Sequence, residues 1–585
     1  MKRLNLIAAL LGTALIASLT GCGSDNRESS ASAQFVASQA CIACHSGTVS
    51  PVTGNSIVTE YLKSAHSTVA GGAGCNDCHN VGDHPGNGAL PAIPNNTVCV
   101  TCHTAKVAMS TQSAHFGTIS TASYTGLPLA RLANGLVNPA TGDPSSSSCN
   151  GCHNPHDMTS LLSVNKQWAQ SAHGAISDVP FNEQAFIKST SCNRCHSGTG
   201  FRYYMNNNKT AITAAVLGKY SSAREAIGCS ACHVDYSWKR ITGLATFTTF
   251  STPYTRSSTV GGTISKAFPT NVGDTGLCIP CHAGRNGGGA VQAITNPANA
   301  SLPTPHYLAA AGMMYLKSAF INFTTLSATI GTSTYAKSLT SSDDISGGVT
   351  STHRKLGTTA INGDSHNPSF FVPGNLDSNG PCVTCHMTAG HTLQIDGPTY
   401  TKVCSNCHTS EGGTPLTADN FRTVFLDPQS EAFQNTLSYA KSLLSTRYKI
   451  TYDPANYPYL YDQNAGNAAV KDWTRGGTLT NASAIKLMGA AYNILLIDKE
   501  PAAYVHARTY TRRLLYDTID FLDDGVMNLS SGAKAVINQP TVFGKGATAY
   551  TDGTLTTLAP GTTESMVYLL NFSRSTGAWV SPERP

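Results

Sequence analysis

Cys41-Ile42-Ala43-Cys44-His45 is the first of nine Cys-x-x-Cys-His units in the chain, and this pattern decides how the protein is built. Two thiols three positions apart can add across the two vinyl groups on one edge of a haem, which forms two thioether bonds. The histidine that follows then lies beneath the macrocycle and gives an imidazole nitrogen to the iron. The pattern therefore predicts covalently attached haem c, one per unit.

The nine units account for all but one of the 19 cysteines. In chain order, the predicted attachment cysteines and proximal histidines are Cys41, Cys44 and His45; Cys75, Cys78 and His79; Cys99, Cys102 and His103; Cys149, Cys152 and His153; Cys192, Cys195 and His196; Cys229, Cys232 and His233; Cys278, Cys281 and His282; Cys382, Cys385 and His386; and Cys404, Cys407 and His408. Disulfide bonds would not require a histidine after every pair. Zinc ribbons use two pairs per metal, which does not suit an odd number, and thioredoxin-like chemistry uses one motif in a βαβ unit.

The composition indicates what fills the core. Charged residues make up only 12% of the chain, and it contains 53 glycines. Such a chain buries too little apolar surface to offset its own ordering entropy. One motif for about every 41 residues between 41 and 408 would supply the missing core as porphyrin. We therefore expect a haem-cored, loop-rich, mainly α fold of the multihaem cytochrome c kind, with little regular secondary structure.

Ten of the 19 histidines remain after the proximal ligands are assigned. Nine of them lie in the haem-bearing region, and this match of nine to nine predicts a second axial histidine on every iron. The predicted sixth ligands are His66, His84, His115, His156, His173, His306, His353, His366 and His391. His506 lies outside that region and would serve only if one of the nine fails. Met205, Met313 and Met387 are the alternative ligands, and the sequence does not pair any of these residues with a particular haem.

The local context of these histidines differs. Ser-Ala-His occurs at 64–66, 113–115 and 171–173, each time upstream of a haem motif, which indicates an internal repeat. His156 ends the string Cys-His-Asn-Pro-His. The alternative for any one of them is a surface or hydrogen-bonding histidine, and it weighs most for His306 and His353, which have no repeated context.

Two axial histidines on each iron have a functional consequence. Both axial positions are filled, so a substrate cannot reach the iron without displacing a ligand, and the absence of methionine ligation implies low reduction potentials. The sequence therefore predicts an electron carrier rather than an enzyme. The alternative is a multihaem reductase of the nitrite, hydroxylamine or tetrathionate type, with one open haem. Such enzymes often carry a Cys-x-x-Cys-Lys motif, which this sequence lacks.

The N-terminus has the pattern of an export signal. Lys2 and Arg3 form a positive region, and the apolar stretch 4–19 is too short to span a bilayer. The string Leu-Thr-Gly-Cys that ends at Cys22 resembles the lipobox cut by lipoprotein signal peptidase. We therefore expect residues 1–21 to be removed and Cys22 to carry a lipid; the alternative is an ordinary secretory signal with a stray cysteine.

The haem motifs, the Ser-x-His repeats, the string at 152–156 and the lipobox together resemble the multihaem c-type cytochromes of dissimilatory metal-reducing bacteria. The relevant members belong to the outer membrane and cell exterior. The resemblance implies haems stacked within contact distance. It also implies electron transfer to other c-type cytochromes, to outer-membrane porin–cytochrome components, or to metal oxides and electrodes. In this group a histidine just after a motif, as at His84 and His391, commonly ligates a neighbouring haem. Some members polymerise into conductive filaments, against which a retained lipid argues.

Gly23, rather than an Asp, follows the lipobox cysteine, which favours the outer membrane under the Gram-negative sorting pattern. We therefore expect an exported outer-membrane lipoprotein, held by its lipid, on the periplasmic or cell-surface face. The formal charge of +5 gives no nucleic-acid signal, because nine haems with ionised propionates would bring the mature holoprotein to about −6.

The region after the last motif contains no cysteine and is expected to be built differently. Apolar residues at helical spacing predict a helix over 482–497 with Asn481 as its N-cap, and a second helix from Pro501 that ends at Gly525. This region either covers the last haems, the favoured reading, or docks a partner. The expected organisation is 1–21 signal peptide, 22–34 flexible tether, 35–410 nine-haem domain, 411–525 helical domain and 526–585 strands and loops.

We expect the mature chain without residues 1–21 to carry nine covalent haems. Mass spectrometry of the denatured protein measures this number directly, because thioether bonds survive denaturation. Fewer than eight haem additions would mean that some motifs are unoccupied.

Cys22→Ala is expected to release the protein from the membrane fraction, because it removes the only predicted lipid attachment. The haem content should stay unchanged. A variant that still sediments with membranes after a salt wash would show that another feature holds the protein there.

Overall fold

Six of the nine motifs fall in one unit of the computed structural model and three in the other. The first unit comprises Met1–Asn207 and Ile212–Ile241, and the second comprises Asn208–Ala211 and Thr242–Pro585. The residues that the structure describes are 38–39, 41–49, 55–68, 72–79, 102, 136–137, 144–145, 156, 164, 167–168, 170–175, 178–206, 213–214, 226–228, 231–232, 249–251, 265–267, 273–316, 318–323, 328–330, 333–335, 353, 356, 376–388, 390–411, 413–527, 550–551, 554–555, 572–573 and 578–579.

The helices of the first unit are short, and several carry a haem motif. Besides a helical turn at 41–45, they include α1 (Ile57–Lys63), α2 (Ala65–Thr68), α3 (Cys75–His79), α4 (Val179–Asn182), α5 (Gln184–Ile187), α6 (Asn193–His196) and α7 (Gly198–Asn206). A 3₁₀ turn spans Ala172–Gly174.

The second unit combines short motif helices with three long ones. Its helices include α8 (Ile279–His282), α9 (Gly288–Gln292), α10 (Leu376–His386), α11 (Gly397–Lys402), α12 (Asp427–Tyr448), α13 (Asn481–Asp498), α14 (Ala503–His506) and α15 (Arg508–Asp524). Its 3₁₀ turns include Gly273–Leu277, Pro297–Asn299, Cys404–Asn406 and Gln463–Ala465, and π-helical turns span Gly312–Leu316 and Arg422–Leu426.

The strands are two or three residues long. They are β1 (Leu136–Val137), β2 (Pro144–Ser145), β3 (Thr249–Ser251), β4 (Ser265–Ala267), β5 (Ala328–Ile330), β6 (Ser333–Tyr335), β7 (Ser410–Glu411), β8 (Thr414–Pro415), β9 (Ile450–Tyr452), β10 (Leu460–Asp462), β11 (Ala468–Ala469), β12 (Tyr550–Thr551), β13 (Thr554–Leu555), β14 (Phe572–Ser573) and β15 (Ala578–Trp579). β9, β10 and β11 form an antiparallel sheet with β10 in the centre, and the others pair as antiparallel hairpins. The described part of the chain is therefore mainly helical and rich in loops, as expected from the sequence.

The core of the second unit lies among the long helices. α13 packs against both α12 and α15, and the cluster of buried side chains includes Phe433, Trp473 and Tyr492. The same cluster includes Phe320 and Phe323, which belong to the chain before the eighth motif. The cysteine-free helices thus share one core with part of the haem-bearing region. That the chain divides at residue 410 into two independently folding domains stays a prediction.

Asn493 joins these two parts of the chain by buried hydrogen bonds. Its Oδ1 accepts a bond from the backbone N–H of Phe320 at 2.8 Å, and its Nδ2 donates to the Phe320 carbonyl at 2.9 Å. Nδ2 also lies 3.1 Å from the hydroxyl of Thr518 on α15. One amide side chain therefore satisfies both backbone groups of a residue that belongs to no helix or strand.

The C-terminal helices begin and end almost where the sequence predicts. Thr480, not Asn481, caps α13, because its side chain accepts from the N–H of Ser483. The second predicted helix is interrupted at Ala507, which has φ −147° and ψ 56° and separates α14 from α15. Gly525 ends α15 at φ 84°, as expected of a C-terminal glycine.

Several predictions fall outside the described residues, among them the signal peptide and the tether. Of the predicted segment 526–585, the structure describes only 526–527 and the four strands β12 to β15. Within the part of the chain that the structure describes, no helix combines the length and apolar character needed to cross a bilayer.

Gly489→Ala is expected to destabilise the protein, although alanine favours a helix interior by about 1 kcal/mol over glycine. A Cβ at this position would lie 2.1 Å from Cδ1 of Phe320, which is fully buried. Overpacking of this kind costs about 1–3 kcal/mol, so the clash outweighs the propensity. Denaturant unfolding followed by circular dichroism measures the change.

The matched control is Lys486→Ala on the same helix, where the side chain is only partly buried. Its free energy of unfolding should change by less than about 0.5 kcal/mol. A Gly489→Ala protein as stable as the wild type would show that Phe320 does not pack against α13.

Candidate haem sites

A single backbone turn arranges the predicted ligands in the haem motifs that the structure describes in full. The histidine N–H bonds to the carbonyl of the first cysteine in three motifs, at 3.1 Å for His196 and His282 and 2.8 Å for His408. This bond places positions one, four and five of the motif on one face of a helical turn. The spacing of the pattern is therefore the spacing that presents two thiols and an imidazole together.

The second cysteine of a motif lies on the same turn as the first. The N–H of Cys195 bonds to the Cys192 carbonyl at 3.0 Å, and the N–H of Cys407 bonds to the Cys404 carbonyl at 3.1 Å. Where the structure describes them, the side chains at this position are half-buried or exposed. They are half-buried at Cys78, Cys195, Cys232, Cys281 and Cys385, and exposed at Cys44, Cys102 and Cys407. A haem vinyl group could therefore reach these sulfurs, and thioether attachment at each of them stays a prediction.

The eighth motif begins at a sharp bend. Gly380 has φ 67°, a conformation that residues other than glycine rarely adopt. It separates two helical stretches within α10. The hydroxyl of Thr275 then accepts bonds from the N–H groups of Cys382 and Val383, at 3.0 and 3.4 Å. Because Thr275 lies just before the seventh motif, one side chain fixes the seventh and eighth motifs relative to each other.

The proximal imidazoles are oriented through their Nδ1 atoms. His196 bonds to the Pro180 carbonyl at 2.7 Å, His282 to the Leu308 carbonyl at 3.0 Å, and His386 to the Leu393 carbonyl at 2.8 Å. A carbonyl only accepts, so Nδ1 carries the proton in each ring. The lone pair then resides on Nε2, the arrangement found in metal-binding histidines.

Three pairs of imidazoles have nearly the same separation between their ring centres. The ring centres of His79 and His156 are 6.0 Å apart with almost parallel planes, at 4°. His353 and His408 are 6.1 Å apart at 69°, and His386 and His506 are 6.1 Å apart at 51°. Each pair joins the proximal histidine of one motif to a histidine from elsewhere in the chain.

This distance tests whether haem iron fits between the rings. A histidine nitrogen binds a transition metal at about 2 Å, so two imidazoles on opposite faces of one iron have ring centres roughly 6 Å apart. All three pairs agree with that value. The residues present therefore fit a haem with two axial histidines at the second, eighth and ninth motifs.

The surroundings keep most of these rings neutral. Burial, followed by the neighbouring imidazoles of His79 and His66, lowers the pKa of His156 to about 4. Burial and the neighbouring His353 likewise lower the pKa of His408 to about 4. A neutral imidazole is the form that binds metal, so at neutral pH these rings are ready to act as ligands.

His506 behaves differently. Burial lowers its pKa, but the hydrogen bond to Glu500 and the charge of that carboxylate raise it by more, so its pKa is raised overall. The distance from His506 Nδ1 to Glu500 Oε1 is 2.8 Å, and the Glu500 side chain is 2% exposed.

Cysteines from neighbouring motifs touch each other. A hydrogen bond with the Cys278 thiol lowers the pKa of Cys382 by more than burial raises it. Burial, and then the nearby Cys404, raises the pKa of Cys385 to about 12. The eighth motif thus lies between the seventh and the ninth. These thiols stand in for the thioether sulfurs of the haem-bearing protein.

The first unit shows the same kind of contact between its first two motifs. Burial raises the pKa of the Cys75 thiol, and a hydrogen bond with Cys41 adds to the effect. The pKa of His79, the proximal histidine of the second motif, is lowered by burial and then by the nearby His45 of the first motif.

The predicted sixth ligands divide into three groups. His156 and His353 face a proximal histidine, as described above. His66, His173, His306 and His391 are described, and of these His66 lies close to His156, while His306 has a left-handed φ of 73°. His84, His115 and His366 lie outside the described residues, as do Cys99, His103, Cys149, Cys152, His153, Cys229 and His233.

His506 is a histidine outside the nine predicted sixth ligands that the structure brings close to a proximal histidine. It lies in a cysteine-free segment, far along the chain from His386, and no repeat or motif marks it. Only the packing of α14 brings it opposite His386.

Comparison with known proteins yields one family match and two named relatives. Residues 66–108, which span the second and third motifs, match the family described as a doubled CXXCH motif. The chain is 23% identical, over an alignment 750 positions long with gaps, to the C-type polyheme cytochrome OmcB of Geobacter sulfurreducens, with 90% of this chain and 95% of that protein covered. It is 27% identical over 372 residues to OmcC, a C-type polyheme cytochrome of the same organism, with 58% and 43% covered. No solved structure matches the chain.

Proposed function

We propose that this chain, a multihaem c-type cytochrome, carries electrons along nine covalently attached haems that mostly have two axial histidines. The spacing of the imidazole pairs carries the proposal. His79 with His156, and His353 with His408, stand at the separation that one six-coordinate iron requires. The similarity to two polyhaem cytochromes supports the class of protein.

Each residue of such a site has a separate task. Haem iron, when bound, takes up and releases one electron. The two cysteines hold the haem edge, and the proximal imidazole is fixed by a carbonyl on its Nδ1, as at His386. The distal imidazole would hold the haem from its other side and would leave no open iron for a small molecule to bind. A site built in this way would transfer electrons rather than activate a substrate.

The contacts between cysteines support a series of neighbouring haems. Cys278 touches Cys382, and Cys385 lies beside Cys404, so the attachment points of the seventh, eighth and ninth haems follow one another. Cys41 touches Cys75 in the same way in the first unit. We propose that electrons pass between haems in these orders.

The proposed cellular setting is an exported lipoprotein of the outer membrane, held by the lipid on Cys22. Its proposed partners are other c-type cytochromes or outer-membrane porin–cytochrome components, with metal oxides or electrodes as terminal acceptors. The lipobox and the family resemblance support this setting.

A multihaem reductase is the second candidate, and one count favours it. The first unit holds six motifs but five spare histidines: His66, His84, His115, His156 and His173. One iron of that unit therefore has no second histidine from its own unit. Met205 on α7 is the alternative ligand there, and an open iron would be a site for substrate.

Carbon monoxide binding separates the two candidates. It attaches only to ferrous haem with an open axial position, so a fully six-coordinate protein should bind almost none. Binding by about one ninth of the haem, together with enzymatic turnover of nitrite or hydroxylamine, would replace the carrier by the reductase.

His353→Ala is expected to open one iron, because it removes the imidazole that faces His408. The reduced variant should bind carbon monoxide at about one ninth of its haem, and the oxidised variant should show a matching high-spin signal. Visible and electron spin resonance spectroscopy measure both.

Two controls accompany this variant. Added imidazole should abolish carbon monoxide binding by the His353→Ala protein, and His353→Met should keep the iron six-coordinate. Mass spectrometry should still show nine haems. A His353→Ala protein with an unchanged spectrum would contradict the proposed ligation of the ninth haem.

A further inference from the structure

We infer that His506 is the sixth ligand of the haem held by Cys382, Cys385 and His386, and that the buried Glu500 positions it and strengthens it as an electron donor. The inference rests on the proposed function. It assigns to the cysteine-free helices a direct part in setting the potential of one haem.

The geometry at the eighth motif is the first support. The ring of His506 stands 6.1 Å from that of His386, the same separation as in the pair His353 and His408. The side chain of His506 is 21% exposed, and Cys382, a predicted attachment residue of the same haem, lies within electrostatic range of the ring. One iron between His386 and His506 satisfies both rings.

The fold fixes His506 where it ends a short helix. Its N–H bonds to the Ala502 carbonyl at 3.0 Å, and Ala503 at the start of α14 is fully buried. Thr511 on α15 donates to the Ala503 carbonyl at 3.0 Å. The interruption at Ala507 then turns the chain away, so His506 projects from the end of α14 and not from the side of a longer helix.

The partner of His506 Nδ1 sets this ligand apart. His353, like His196, His282 and His386, has a backbone carbonyl there, at 2.9 Å from Val505. His506 has the carboxylate of Glu500 instead, at 2.8 Å. A carboxylate on the outer nitrogen of a metal-bound imidazole raises the basicity of the ligand more than a neutral carbonyl does.

The environment of Glu500 directs its charge to His506. The other carboxylate oxygen, Oε2, is buried and has no hydrogen-bond partner among the described residues. The backbone of Glu500 is held in the turn before α14, where its carbonyl accepts from Ala503 at 2.9 Å. The negative charge therefore acts on the imidazole with little screening, because the Glu500 side chain is almost fully buried. A stronger axial donor favours ferric iron, so the eighth haem should have a lower potential than its neighbours.

The position of this haem gives the low potential a consequence. Cys382 of the eighth motif is hydrogen-bonded to Cys278 of the seventh, and Cys385 lies near Cys404 of the ninth. The same turn of chain also supports the ninth haem, because the Val505 carbonyl orients His353. Glu500 would thus lower the reduction potential of the eighth haem, which lies between the seventh and ninth haems on the proposed path of the electrons.

The first test compares His506→Ala with His353→Ala in the full-length holoprotein. Both variants should bind carbon monoxide at about one ninth of the haem when reduced, and at about two ninths when combined. Added imidazole should reverse the effect in each, and His506→Met should bind none. Circular dichroism and the haem count by mass spectrometry establish that the variants are folded and fully loaded.

The outcomes separate this inference from the proposed function. If His353→Ala opens an iron but His506→Ala does not, the assignment of His506 is wrong and the carrier proposal stands. If neither variant opens an iron, then a ring separation of about 6 Å does not identify the two ligands of one iron, and both assignments are wrong.

The second test addresses Glu500 through its charge. Glu500→Gln keeps a hydrogen-bonding side chain of the same shape, so the haem should stay six-coordinate and bind no carbon monoxide. In a spectroelectrochemical titration about one ninth of the haem absorbance should move to a higher potential, and one low-spin signal should shift. Glu431→Gln on the exposed side of α12 is the control and should leave the titration unchanged. A Glu500→Gln titration that overlays the wild type, or moves to a lower potential, would overturn the role of Glu500.

Discussion

A haem iron with two imidazoles must receive them from opposite faces, and one Cys-x-x-Cys-His unit can supply only one of the two. The first comes from a single backbone turn, as the bond from His408 to Cys404 shows. The second has to be brought back from another part of the chain. In the pairs that the structure describes, the returning residue is His156, His353 or His506. The loops between motifs are long enough for these returns, and little regular secondary structure is needed to make them.

The cysteine-free helices of the second unit help to bring these second histidines to the haem motifs. α12, α13 and α15 form an apolar core that includes Phe320 and Phe323, and Asn493 satisfies the backbone of Phe320. The favoured reading from the sequence, a cover over the last haems, accounts for this packing only in part. α14 also places the Val505 carbonyl beside His353 and the imidazole of His506 beside His386, so these helices contact residues of two predicted haem sites.

The groups that surround each imidazole, and the partner of its Nδ1 atom, distinguish otherwise similar histidines. Burial keeps the rings of His156 and His408 neutral, because a charge is poorly solvated in a protein interior. A backbone carbonyl on Nδ1 fixes orientation without adding a full charge, whereas the Glu500 carboxylate does both. Chemically identical haems can therefore differ in reduction potential through the groups that contact their ligands, and Glu500 shows that such a group can lie in a segment without any haem motif.

The sequence by itself determined the attachment chemistry. Two thiols and an imidazole at positions one, four and five need only local backbone geometry, so nine motifs could be read directly, and the family matches agree with the class of protein. The spacing of apolar residues likewise predicted the helix over 482–497 and the helical segment that ends at Gly525, with errors of a few residues in their ends. The sequence also predicted His156 and His353 as sixth ligands, without their partners. Only the tertiary structure decided that His156 faces His79, that His353 faces His408, and that His506 lies opposite His386 with Glu500 behind it. The sixth ligand is not part of the haem motif, so nothing in the sequence fixes its distance along the chain from that motif. Any histidine that packing brings to the open face of the haem can therefore serve. Counting residues along the sequence cannot reveal which one arrives.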